Sequence, residues 1–119
     1  MAEPADAHPA SLHHSVVPDA IRLQTATETF RMLADPTRLH LLWILTNSEA
    51  DVTALIEACG ASRTAVSQHL AKLRFTGLVA TRREGRRMVY RIRDGHLARL
   101  ILEGLNHADH VVTGEPSHD

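Results

Sequence analysis

Cysteine is nearly missing from this chain of 119 residues: Cys59 stands alone, which excludes an intramolecular disulfide and any site built from several thiolates of one chain. Long apolar runs are missing as well. No stretch of about 18 apolar residues occurs, and the opening MAEPADAHPASLHH is polar, Pro-containing and acidic. Neither a membrane span nor a secretory signal is therefore expected, and the expected compartment is the cytoplasm. There is no internal repeat. The length admits one small domain and excludes a large multidomain enzyme. A monomer of this size buries a limited core, so a dimer sharing an apolar interface is expected from size alone.

What the chain does have is histidine, nine in all, and an uneven placement of charge. Imidazole titrates near neutrality and is the commonest metal ligand. The formal net charge of −1 suggests no polyanionic partner, but its distribution does. Between Gly60 and Arg93 stand nine basic residues (Arg63, Lys72, Arg74, Arg82, Arg83, Arg86, Arg87, Arg91, Arg93) against Glu84 alone, a balance of +8 that leaves −9 for the rest. A basic segment between acidic flanks is the footprint of a nucleic-acid binder.

Residues 1–18 lack a helical period and contain Pro4, Pro9 and Pro18, so a disordered arm is expected there. The folded domain is expected over 19–110, with 111–119 as a tail. A first helix over Asp19 to Leu33 places Ile21, Ala26, Thr29, Phe30 and Leu33 on one stripe. Asp35 caps a second helix with Pro36 at its first position, and Leu39, Leu42, Trp43 and Leu45 are expected in the core. Asp51 caps a third helix, Val52 to Ala58, which stops at Gly60; a fourth, Ser62 to Thr76, stops at Gly77 and turns Val66, Leu70 and Leu73 inward. The period then shifts to two. LVATRRE and RRMVYRI read as strands of a hairpin joined at Glu84-Gly85-Arg86. A closing helix from Asp94 to about His110 spaces Leu97, Leu100, Ile101 and Leu105 for burial. The fold class is mainly α with a β-hairpin, a winged helix-turn-helix in the order α-α-α-α-β-β-α.

Base edges in the major groove are read by side chains that donate and accept hydrogen bonds, and the fourth helix carries such a set. Ser62, Arg63 and Thr64 sit at its start, where free backbone N–H groups also favour phosphate, and Ser67, Gln68 and His69 lie about one turn on. Lys72 and Arg74 suit phosphate contacts. The hairpin arginines Arg82, Arg83, Arg86 and Arg87 suit the backbone or an adjacent minor groove, contributing affinity and salt dependence.

Asp94, His96, His107 and His110 fall on the last helix. His96 and His107 share a face but lie about 16 Å apart along it, so one chain cannot bring both to one ion. Two copies of the helix packed antiparallel across a twofold would place Asp94 and His96 of one copy opposite His107 and His110 of the other, giving two equivalent sites. Three imidazole nitrogens and one carboxylate oxygen suit tetrahedral Zn(II), with no open position for catalysis. Asp109 and the outlying His8, His13, His14 and His118 would supply the further donors of an octahedral Ni(II) or Co(II) site.

The runs FRMLADPTRLHLLWIL, SRTAVSQHLAKLRFTGLV and RREGRRMVYRI, with DGH and HADH beyond them, resemble the ArsR/SmtB family of metal-sensing repressors over about residues 20–110. The resemblance implies a homodimer that binds an inverted repeat in double-stranded DNA when metal-free and leaves it when metal binds, and a metal site of Asp94, His96, His107 and His110. It also implies a bond from His107 to the backbone near Gln68. Members that sense soft metals use a cysteine pair near the third helix, and DVTALIEAC offers only Cys59, here read as a small residue packed at the turn. Zn(II) is the expected effector, with Ni(II) or Co(II) and the tail ligands as the alternative and a nonmetal signal as a second. A protein-binding winged helix is a further reading, against which the arginine-rich hairpin argues. A hydrolase would need an open metal position and a cleft, so neither an enzyme nor a small-molecule substrate is expected.

Overall fold

Five side chains that accept a backbone N–H mark where the helices of the computed structural model begin; the structure describes residues 16–114. Asp19 opens α1 (Ala20–Leu33), Asp35 opens α2 (Pro36–Asn47) and Asp51 opens α3 (Val52–Cys59). Ser62 opens α4 (Arg63–Phe75), and Asp94 opens α5 (Gly95–Thr113). Each takes the amide three residues on, satisfying one of the four donors a helix start leaves unpaired. The helix boundaries expected from sequence hold to within a residue except at the end of α5, which runs three residues past His110. The expected arm lies largely outside the described residues, as do His8, His13, His14 and His118.

The hairpin is β2 (Val79–Glu84) and β3 (Arg87–Ile92), antiparallel from Val79↔Ile92 to Glu84↔Arg87. Gly85, with φ 64°, takes the left-handed backbone that this tight connection needs. A third strand was not expected. β1 (Ala50–Asp51) pairs with β3 through Ala50↔Tyr90 and Asp51↔Val89, so the order is β1-β3-β2 and the hairpin is tied to the residues that start α3.

The core is Leu41, Leu42, Leu45, Leu55, Val66, Leu70, Leu73, Leu78, Val79, Leu97 and Ile101. Two expectations for α2 need correction. Leu41 is fully buried, whereas Trp43 is 41% exposed and Leu39 only half-buried. The run from Leu39 to Leu45 is apolar at nearly every position, so periodicity alone cannot set its phase. Trp43 instead lies beside His40, ring centroids 6.2 Å apart. Leu100 and Leu105 are half-buried, and Cys59 packs against the core as expected.

α1 buries no residue within the chain. Of its expected stripe, Thr29 and Leu33 are half-buried, but Ile21 is 74% and Phe30 54% exposed. The far end of α5 is similar, with Val112 84% exposed. No helix among the described residues is long and apolar enough to cross a membrane.

Candidate nucleic-acid interface and metal-ligating helix

α3 and α4 are joined by Gly60-Ala61-Ser62, with Gly60 in the left-handed region at φ 77°. Val66, Leu70 and Leu73 are buried, which fixes the rotation of α4 and turns Arg63, Thr64, Ser67, Gln68, Lys72 and Arg74 to solvent. Ser62 accepts the Ala65 amide at 3.1 Å, so its hydroxyl caps the helix while its proton is left to donate. Arg63 reaches back to Thr53 Oγ1 at 3.4 Å.

His69 faces differently from its neighbours. Its side chain is only 20% exposed, with Nε2 3.8 Å from Asp35 Oδ1, while Arg38 Nη1 donates to Nδ1 at 3.4 Å. Position 69 flanks the inward line of Val66, Leu70 and Leu73, so the ring lands on the start of α2. Arg38, unremarked in the sequence reading, also donates from Nε to Met32 O at 2.8 Å. The Asp35 carboxyl is held below its ordinary value, first by the backbone N–H of Arg38 and then, against the cost of burial, by the facing His69 ring and the Arg38 guanidinium.

Of the five arginines of the hairpin, Arg91 is exposed on β3, and the four nearest the turn divide into two pairs. Arg82 is paired with Glu49 and with Glu84, the latter at 2.9 Å; Arg87 is paired with Asp51 at 3.0 Å and Glu84 at 2.8 Å. Hydrogen bonds from Arg82 and Arg87 hold the Glu84 carboxyl below its ordinary value, and the Arg82 and Arg87 guanidinium groups are correspondingly raised. Arg83 and Arg86 are exposed and make no hydrogen bond or ion pair among the described residues. Glu49 and Asp51 lie 33 and 36 residues from their arginines in sequence, and no local pattern signals that pairing.

On α5, Asp94 Oδ1 accepts the Leu97 amide at 2.9 Å, and Arg99 Nη2 donates to His96 Nδ1 at 2.9 Å. Asp94 and His96 line an open groove of about 410 Å³ together with Thr29 and Phe30 of α1. His107 and Asp109 are exposed and His110 is half-buried, some four turns from the helix start. Within one chain no three metal-ligating side chains converge among the described residues.

Residues 35–81 match the bacterial regulatory protein, arsR family. The chain is 45% identical over 91 residues to the HTH-type transcriptional regulator KmtR of Mycobacterium tuberculosis, covering 76% of this chain and 70% of that one. It is 43% identical over 86 residues to NmtR, an HTH-type transcriptional regulator of the same organism, covering 72% of each. Its structure resembles the homodimeric winged helix-turn-helix DNA-binding domain Mb0332 from Mycobacterium bovis, with a TM-score of 0.74 and 32% identity over 89% of this chain and all of that one. A capped helix after a tight turn, a basic hairpin beside it and these likenesses converge: the chain belongs to the ArsR family of bacterial regulatory proteins, winged-helix DNA-binding transcriptional regulators and not enzymes.

Proposed function

We propose that the protein is a metal-responsive repressor that binds an inverted-repeat operator as a metal-free homodimer and leaves it when Zn(II) binds between the two copies. The carrying observation is the distribution of ligand-type side chains on α5. Asp94 and His96 stand at its start and His107 and His110 near its end, on a helix whose neighbouring apolar surface, with that of α1, is uncovered in the single chain. An antiparallel second copy covers that surface and brings the two ends together. The homodimeric state of the Mb0332 domain supports this assembly.

The residues fit the ion. Asp94 spends Oδ1 on the helix cap and keeps its other oxygen; three imidazoles complete a set suited to tetrahedral Zn(II). His96 is engaged by Arg99 through Nδ1. Neutral imidazole has one lone-pair nitrogen, so ligation at either nitrogen requires Arg99 to release the ring. When bound, the metal supplies a link between the copies. That link acts on DNA affinity only through a difference between dimer arrangements, since a ligand with equal affinity for both shifts nothing. Recognition helices must be about one helical turn of DNA apart, and an α5 pair held in another arrangement moves them off that spacing. Asp109, with His118 and the arm histidines outside the described residues, supports Ni(II) or Co(II) as the second reading.

The test is DNA affinity with and without Zn(II) for wild type and His107→Ala. Wild type should weaken by about 5- to 150-fold with metal. His107→Ala should bind DNA almost normally without metal and show no release with it; loss of metal-free binding would make the residue structural. The absorption of the Co(II)-loaded protein decides the metal class, with intense visible bands for four ligands and weak ones for six.

A further inference from the structure

The basic hairpin carries five arginines that a charge count treats as equivalent, and the structure separates the four nearest its turn. Antiparallel pairing sets the faces: Arg82 and Val89 lie across from each other, as do Glu84 and Arg87, so these four share one side. Asp51 of β1, opposite Val89, lies on that side too, and there Glu49 meets Arg82 and Asp51 meets Arg87. Glu84 joins both arginines, giving the alternating chain Glu49, Arg82, Glu84, Arg87, Asp51. On the other side Arg83 lies opposite Met88 and shares its face with Tyr90, and Tyr90 lines a groove with Ser67 and Arg74 of the reading helix. Arg86 sits at the hairpin tip, exposed.

We propose that Arg83 and Arg86 carry the phosphate contacts of the hairpin, while Arg82 and Arg87 are positioning residues that hold the hairpin against the start of α3. A phosphate approaching Arg82 or Arg87 must displace two carboxylates from either guanidinium, and the freed carboxylates would then repel the same polyanion. Arg83 and Arg86 release nothing. Singly, exposed ion pairs contribute little. Here three acids and two arginines act as a connected network, reinforced by the β1–β3 backbone pairing, and Asp51 is tied in twice, by Arg87 through one oxygen and by the Ala54 amide through the other. Arg91, opposite Ala80, shares this side, so three acids against three arginines leave it without net positive charge, and the attractive field of the hairpin comes from the tip and the Arg83 side.

Salt dependence separates the two roles, because each phosphate contact contributes about 0.9 to the slope of log affinity against log salt. Binding of the full-length protein to a random-sequence duplex of 30 base pairs, followed by fluorescence anisotropy across a salt series, should flatten by about that amount per lost contact for Arg83→Gln and for Arg86→Gln. Arg82→Gln and Arg87→Gln should keep the wild-type slope and lose affinity only through a parallel offset. A slope change in Arg82→Gln or Arg87→Gln equal to that of Arg83→Gln overturns the proposal. Where a single variant fails to fold, the exchanged pair Glu49→Arg with Arg82→Glu decides instead: a bracing role predicts wild-type slope and affinity regained relative to Arg82→Glu alone. A DNA-contacting Arg82 predicts that the exchange restores nothing.

Discussion

Two side chains next to each other on α4, Gln68 and His69, have different surroundings and should have different roles. Gln68 is exposed on the face that meets solvent, while His69 is held between Asp35 and Arg38. Gln68→Ala should alter base preference at one operator position by about 1–3 kcal/mol of discrimination. His69→Ala should leave the preference pattern intact; binding-site selection on the two variants checks this, and a changed pattern for His69→Ala would return that ring to the groove. A second residue-scale expectation concerns Arg99, which holds a nitrogen of His96. Arg99→Ala should tighten metal binding, measured by competition with a chelating dye, because the ring no longer has to be released. Unchanged affinity would mean that the contact does not persist in solution.

Helix starts were the most legible elements. Asp19, Asp35, Asp51, Ser62 and Asp94 each stand immediately before an apolar period, and each is a cap in the structure. Capping is local, so sequence carries it. The phase of α2 was not legible, because seven almost continuously apolar positions offer no polar face to orient them. Leu41 is the test: buried completely, it should cost about 2–5 kcal/mol on replacement by Ala, whereas Leu39→Ala should cost less. Thermal or denaturant melts of the two variants decide. β1 escaped notice because two residues cannot show an alternation. The acids of the hairpin escaped because the segment that holds the arginines contains only Glu84, and the fold brings Glu49 and Asp51 to it from outside. The candidate site on α5 was legible as a spacing along one helix; its completion depends on a second copy, which no single-chain pattern contains.

For the molecule as a whole, the uncovered apolar side chains of α1 and α5 matter most. Ile21, Phe30, Leu102, Val111 and Val112 stay exposed in one chain, and none is explained by the internal core. Leu102→Glu should put a charge into the interface between copies and shift the protein toward monomer in sedimentation velocity. Far-UV circular dichroism should stay close to wild type, since Leu102 lies outside the buried set. Affinity for a two-half-site operator should fall steeply, because a monomer reaches one half-site at a time. A dimer that survives the substitution would place the interface elsewhere.

Asp51 belongs to three things at once: the end of β1, the cap of α3 and the grip on Arg87. A pull on the hairpin is thus transmitted to the helix-turn-helix through this carboxylate together with the β1–β3 backbone pairing, and the two parts should swing as a rigid tool with little play between them. A duplex whose groove width does not suit that tool has to do the bending itself, so operator choice should follow the stiffness of base-pair steps the protein never touches.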